Sequence, residues 1–326
     1  MKPSLVNLPS FVSDTIKRKL VLKNFKNIKA SFSELSTKYQ NQNKYYFSSY
    51  EHRLAYLATR APSTFGAIKN VFEKIKYYDG FLGIESFLDA GTGPGCGLWA
   101  AIDEFENLRQ ITLIEKDNLI AKIGKSIIEH SNFKETHSID WLLGSIETLN
   151  PEPQPHDLVL ASYSLGEISN YVEVAELLWK KTKKWLIIIE PGDRLGFERI
   201  KKIRKHLIKK EAKTAAPCPH DLDCPLSNKD WCHFSQKIIR SNYHRRLKAG
   251  TLPYEEEKFS YAVFTKLNLS KRPARLIKKP KKASGHILLD LCLPKNIKRI
   301  AISKKNREIY QLAKKISWGD IWNFKF

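Results

Sequence analysis

Four of the five cysteines in this 326-residue chain, Cys218, Cys224, Cys232 and Cys292, lie in its most basic stretch. Thiolates are natural ligands of zinc and of iron–sulfur clusters, and a tetrahedral ion or a cubane cluster each takes four of them. The first three are spaced C-x5-C-x7-C within APCPHDLDCPLSNKDWCHFS, and the fourth follows in LDLCLP. That spacing is looser than the C-x2-C pairs of zinc ribbons, so it points to a metal without naming it. Pro217, Pro219, Pro225 and Pro294 flank three of the thiols and restrict the local backbone. His220 and His233 stand near enough to replace one sulfur, which keeps a zinc site of three Cys and one His beside the all-thiolate reading. Four buried cysteines packed as small apolar side chains are the plain alternative.

The second chemical feature is the loop FLDAGTGPGCG at 87–97, which contains the fifth cysteine, Cys96, as a small filler. Gly91, Gly93 and Gly95 permit a tight turn and let backbone amides approach a ligand, the strand–loop–helix logic of nucleotide cofactor sites. Its D-x-G-x-G-x-G form suits S-adenosylmethionine better than a nicotinamide dinucleotide, because Asp89 can engage the cofactor's amino-acid portion. Glu115 ends the next apolar run, ITLIE, 20 residues after Gly95, where a carboxylate accepts from ribose hydroxyls. A strand-end helix cap is the alternative role for Glu115. A third strand ending near Leu143 places Ser145 and Ile146 beside the adenine, and a fourth, DLVLASYS, brings Ser162 and Tyr163 to the reactive end.

The elements that must position these residues follow from hydrophobic periodicity. Residues 1–85 read as a helical layer, with a break and a new N-cap expected at Pro62-Ser63. From 86 to 192, SFLDAG, ITLIEKD, DLVLASY and WLIIIEPG alternate with helical stretches, which predicts an α/β, mainly parallel Rossmann-like sheet of the class I methyltransferase type. Residues 193–326 open with the basic helix RLGFERIKKIRKHLIKK, pass through the cysteine loops and end in short strand-like runs. We expect there a β-rich, cysteine-bearing module, with KRPARLIKKPKKASG as an exposed turn or hairpin.

The net charge of +22 is segregated: +8 for 1–86, −7 for 87–192 and +21 for 193–326. A surface so basic attracts a polyanion such as RNA through counterion release. The other reading is a lysine-rich solvated face. No apolar run approaches the ~20 residues of a membrane-spanning helix, so no membrane partner is expected. The N-terminal MKPSLVNLPSFVSDTIKRKL lacks a secretory core and reads as mature protein, so we expect a bacterial cytoplasm rather than a mitochondrial matrix.

Several blocks together resemble a known family, the methyltransferase-like assembly proteins of the small ribosomal subunit found in mitochondria and some bacteria. They are LSTKYQ, LAYLATRAPSTFGA, the GTGPG loop, DLVLASYSLGEI, IEPGDRLGF, APCPHDLDCPL, DWCHFSQ, RSNYHRRLKAG, YEEEKFSYAVF and YQLAKKISWGDIW, covering almost the whole chain. The resemblance implies a Rossmann-like core able to bind S-adenosylmethionine, or keeping only a vestige of that site. It also implies a 4Fe-4S cluster on Cys218, Cys224, Cys232 and Cys292, and docking on small-subunit rRNA by a protein monomeric off the ribosome. ASYSLGEI stands where an N-methyltransferase carries D/N-P-P-Y, so no catalytic base is named. Arg240, His244, Arg245, Arg246 and Lys248 are candidates to meet phosphates, extended by Lys278, Lys279, Lys281 and Lys282. Trp231, Phe234 and Tyr243 are candidate base-stacking or core residues. An active rRNA methyltransferase, a zinc-stabilised RNA-binding protein and an iron or redox sensor remain as alternatives.

Overall fold

The computed structural model describes residues 5–40, 47–131, 133, 137–149, 153–227, 229–269 and 272–324. Four helices open the chain: α1 (Ser10–Val21), α2 (Phe25–Gln40), α3 (Tyr50–Thr59) and α4 (Ala61–Ile75). The expected break near Pro62 falls two residues earlier, at Arg60, and Pro62 sits inside the first turn of α4, where its missing N–H costs nothing.

An alternating segment follows, with β1 (Ser86–Ala90), α5 (Cys96–Glu104), β2 (Gln110–Glu115), α6 (Asn118–Ile128), β3 (Ser138–Leu143), β4 (His156–Ser162), α7 (Tyr171–Lys180), β5 (Thr182–Pro191) and α8 (Arg194–Lys209). The rest comprises β6 (Lys213–Ala216), β7 (Phe234–Ile239), α9 (Asn242–Leu247), β8 (Tyr254–Thr265), β9 (Ala274–Leu276), β10 (Lys281–Ala283), β11 (His286–Cys292), β12 (Ile297–Ser303), α10 (Arg307–Lys315) and β13 (Ile321–Trp322).

The main sheet runs β3-β2-β1-β4-β5-β8-β6, with β7 also paired to β8. β1 to β5 are parallel, and β8 enters antiparallel to β5. The near-continuous apolar strands divide their side chains by pleat alternation. Phe87, Leu158, Leu160, Trp185, Ile187 and Ile189 face the core shared with α1–α6, whereas Leu88, Val159, Ala161, Leu186 and Ile188 face the core shared with α7 and α8. Charge does not stop α8 from packing: Phe197, Ile200, Ile203 and Leu207 form one buried stripe on an otherwise basic helix. Asp193 caps it by accepting from the Gly196 amide at 2.7 Å.

The boundary expected at 192/193 falls within a continuous sheet. β8 pairs with β5 from Phe259 to Thr265, because its apolar half needs the central strands to cover both faces. Only β9–β13 form a separate five-stranded sheet, with its own small core of Leu276, Ile287, Leu289, Leu291 and Trp322. Within the expected exposed hairpin, Ser284-Gly285 makes the β10–β11 turn, with Gly285 at φ +82°. Its early part is instead strand β9, where Arg275 and Leu276 are buried, and Lys271 lies outside the described residues.

Candidate functional site

Two sites stand on this frame. The first is a cleft of about 650 Å³ at the carboxyl ends of the parallel strands, where the chain direction around β1 and β4 leaves a crevice. Gly91 and Gly93 line it with φ of +79° and +58°. A Cβ at Gly91 would fall 2.6 Å from the Ser164 Cβ, whereas at Gly93 the nearest atom is the Tyr56 hydroxyl at 3.9 Å. The loop backbone is therefore bare toward the cleft at Gly93, where a ligand can approach the chain closely, although the N–H groups of Gly91, Thr92, Gly93 and Gly95 already donate within the protein.

Glu115 lines the same cleft. Its Oε2 accepts from the Gly93 amide and its Oε1 from the Asp117 amide, both at 2.8 Å. Burial pushes its carboxyl up against those two bonds. Each oxygen retains a lone pair for a further donor, so Glu115 both fixes the loop and can meet a hydroxyl. Ser145, Ile146 and Ser162 line the cleft beside it, as the strand-end reading expects.

Asp89 and Gly95 have different roles from those expected. Asp89 is fully buried beneath the loop and does not line the cleft; Thr92 Oγ1 donates to its Oδ2 at 2.7 Å. Desolvation raises its pKa to about 7, and its Oδ1 has no hydrogen-bond partner. Gly95, at φ +102°, caps α5 and also lies outside the lining. Both residues build the loop from below, because the strand end places the Asp89 side chain on the α5 side of the sheet, where Gly97 leaves room for it.

On the other wall Tyr163 stands where the fourth strand is expected to bring it, whereas Arg60, Thr64 and Arg199 are not expected from the sequence. Arg60 and Thr64 from α3–α4, Tyr163, Glu190 and Arg199 all reach the cleft. Tyr163 donates to Glu257 Oε1 at 3.0 Å, and Arg199 pairs with fully buried Glu190. Burial raises Glu190 to about 7, and its Oε1 lacks a partner. Arg60 lies in a helical segment distant in sequence, so no local signal marks it.

The second site is a cavity at the junction of α8, β8 and the small sheet. Cys218, Cys224, Cys232 and Cys292 all line it, together with Arg204, Tyr261, Ile277 and Ile297. Three anchors shape its walls: Ser260 Oγ donates to the Cys232 carbonyl at 2.8 Å, the Trp231 indole donates to the Gly192 carbonyl at 3.1 Å, and Asp221 accepts from the Thr214 amide at 2.8 Å. Cys292 arrives on β11, opposite Arg275 of β9.

Among the described residues no three His, Cys, Asp or Glu side chains are gathered tightly enough to hold a metal ion. The donor set nevertheless suits a thiophilic metal, and two buried donors on the lining, Arg204 Nε–H and Tyr261 Oη–H, have no acceptor. Burial pushes the Cys218, Cys232 and Cys292 thiols up, while Arg204 and Arg275 oppose that rise at Cys218 and Cys292. Of the two histidines near the thiols in sequence, His220 is buried with Nε2 3.9 Å from the Cys292 sulfur; His233 stacks on Trp231.

The basic residues divide into two groups. Arg240, Lys248 and fully buried His244 converge on Glu255 at 3.0, 2.8 and 3.3 Å, so these three serve the fold instead of facing outward. Their register on β7–β8 and α9 brings them to one carboxylate, and a buried charge left without such a partner is costly. Arg245 donates to Asn242, exposed Arg246 lies over the Phe25 ring at 4.0 Å, and Lys278 pairs with Asp230. Lys279, Lys281 and Lys282 are exposed on and beside β10. Of the aromatic candidates Phe234 is core, Tyr243 is half-buried against Phe25, and Trp231 is partly exposed.

The strand order, the glycine loop after β1 and the acid ending β2 define a Rossmann-like protein of the class I methyltransferase type. The family model described as mitochondrial small ribosomal subunit Rsm22 matches residues 50–323, and the chain belongs to that family. It is 25% identical over 287 residues to the human mitochondrial ribosome assembly protein METTL17, covering 82% of this chain and 62% of that one. It is 21% identical to the mitochondrial ribosome assembly protein RSM22 of Saccharomyces cerevisiae, covering 78% of this chain and 64% of the relative. The chain thus spans less than two thirds of these relatives' length. The magnesium protoporphyrin IX methyltransferase of Synechocystis, solved with S-adenosylmethionine bound, aligns at a TM-score of 0.42 with 12% identity, over 74% of this chain and 97% of that one. No helix among the described residues is long and apolar enough to cross a membrane.

Proposed function

We propose that this protein is an assembly factor of the small ribosomal subunit that docks on rRNA through its basic carboxyl-terminal sheet. Lys279, Lys281 and Lys282, exposed on one hairpin of a segment carrying +21, are the observation that supports RNA docking best. The names of the relatives supply the ribosomal particle as partner. The test is binding of the purified chain to immature small subunits and to their rRNA across a salt series. Salt-sensitive binding to the particle supports the reading; equal affinity for an unrelated polyanion at every salt concentration refutes it.

Within this function the cleft holds S-adenosylmethionine. Gly91 and Gly93 present backbone, Glu115 meets the ribose, Ser145 and Ile146 flank the adenine, and Ser162 stands at the reactive end. The bound cofactor supplies an electrophilic methyl group. Cys218, Cys224, Cys232 and Cys292 hold a metal centre, a 4Fe-4S cluster by family resemblance, that ties α8 and β8 to the small sheet, so that metal binding and folding of this junction are linked. Iron, sulfide and zinc analysis of anaerobically purified protein decides the metal; one zinc per chain without sulfide replaces the cluster by zinc.

A second reading, active rRNA methyl transfer, is favoured by Glu190: a fully buried carboxyl on the cleft wall with one unpartnered oxygen and a pKa near 7 is suited to receive a proton at neutral pH. Transfer of a labelled methyl group to assembling subunits tests it, with Glu190→Gln expected to abolish transfer while sparing cofactor binding.

A further inference from the structure

Arg204 and Arg275 are among the most deeply buried cations of the chain, with 6% and 1% of their surface exposed. Arg275 donates to the Pro217 carbonyl at 3.3 Å, to the Gly319 carbonyl at 3.0 Å and to the Tyr77 hydroxyl at 3.4 Å. Arg204 donates to the carbonyls of His220 and Leu222, and its Nε–H has no acceptor. No carboxylate pairs with either among the described residues; Asp221, the acid close by, is paired with Arg272. Elsewhere buried Arg53 is balanced by Asp117, and half-buried Arg199 by Glu190. Two guanidinium groups served only by neutral acceptors carry an uncompensated desolvation cost.

Both border the cysteine cavity. Arg204 lines it directly, and Arg275 binds the carbonyl of Pro217, which precedes Cys218, and stands opposite Cys292 in the β9–β11 register. With neutral thiols the pocket would hold two cations without a carboxylate partner, since Lys201, which also lines it, pairs with Glu198 at 3.8 Å. Four thiolates around a divalent ion or a doubly positive cluster leave two net negative charges. We propose that Arg204 and Arg275 are positioning residues that neutralise a dianionic four-thiolate metal centre, with the Tyr261 hydroxyl as an added donor to sulfur. The proposal rests on the metal reading above and deepens it: the centre has four sulfur ligands, since a histidine in place of one thiolate would leave a cation unmatched.

The test uses the full chain purified anaerobically with its native metal, with Arg204→Gln, Arg275→Gln and the charge-retaining Arg204→Lys and Arg275→Lys. Metal release to a chelator is expected to quicken at least tenfold in each Gln variant and to stay near the parent rate in the Lys variants. If the centre is redox-active, its midpoint potential falls in the Gln variants by about 59 mV for each tenfold loss of preference for the more negative reduced state. Melting of the metal-free proteins separates charge balance from packing: each Gln variant should match or exceed the metal-free parent, yet melt lower than the parent when metal is bound. Should Arg275→Gln fail to fold, Arg204→Gln carries the same measurements. Parental release rates and potentials in both Gln variants overturn the arginine assignment while leaving the metal in place. Native protein free of iron and zinc overturns the metal reading and this inference together.

Discussion

Replacing Asp89 by Asn should abolish the pH dependence that this one carboxyl imposes on stability. Asp89 is fully buried, accepts from Thr92 at 2.7 Å and leaves Oδ1 unpartnered; desolvation raises its pKa from 3.8 to about 7. Between those values the unfolded chain has lost the proton and the folded chain keeps it, so stability is full below about pH 4 and falls as pH rises toward 7. About three pH units at 1.36 kcal/mol each give a loss of about 4 kcal/mol. Asparagine keeps the shape and the accepting oxygen but does not titrate. Its amide, placed where Oδ1 was, costs about 1–3 kcal/mol as an unsatisfied donor, equally at every pH. The stability difference between variant and parent should therefore move by about 4 kcal/mol in the variant's favour from about pH 4 to about pH 8. Glu190, also raised to about 7, titrates in both proteins and cancels. Urea unfolding at a series of pH values, without added ligand, measures the difference. Parallel pH profiles would refute the reasoning, since they would mean that Asp89 is ionised in the folded protein throughout.

Other consequences can be checked alongside. Gly97→Ala sets a Cβ 2.3 Å from Asp89 Oδ2 and 2.7 Å from Leu160 Cδ2, and should cost about 1–3 kcal/mol in thermal unfolding, whereas Gly83→Ala, with nothing within 4 Å, should be near neutral. Glu255→Gln removes the partner of Arg240, His244 and Lys248 and should cost about 3 kcal/mol or more at neutral pH. Although burial raises it, the close approach of the His244 ring and the Lys248 charge hold the Glu255 carboxyl well below the usual glutamate range. Its contribution is thus complete above about pH 4.3 and disappears as pH falls, so the variant's deficit should shrink in acid titrations. Changing Lys279, Lys281 and Lys282 together to Gln should lower the slope of log affinity for rRNA against log salt by about 2–3, with melting unchanged. Arg240→Gln should do the opposite, lowering melting and leaving the slope alone.

The glycine loop and its strands were legible because local rules govern them: a turn that demands positive φ must be written in glycine, and a strand buried on both faces must be written in apolar residues. The basic run was only half legible. Lys279, Lys281 and Lys282 stay at the surface as charge suggests, but Arg240, His244, Lys248 and Arg275 look no different in sequence and are turned inward by partners on other elements, Glu255 at 7 to 15 residues along the chain for the first three and Pro217 at 58 for Arg275. Asp89 was legible as important and misjudged in role, since sequence cannot tell whether a strand-end carboxyl faces a ligand or the helix behind it.

By itself the sequence determined the parallel core, the cofactor-type loop and the polarity of charge along the chain, because periodicity and backbone sterics act between neighbours. Only the tertiary structure decided that β8 returns to the main sheet, that Arg60 closes the cleft, and that four distant cysteines line one cavity with two unbalanced arginines at its border. Burial and charge balance are properties of what converges in space, and chain order carries no record of them.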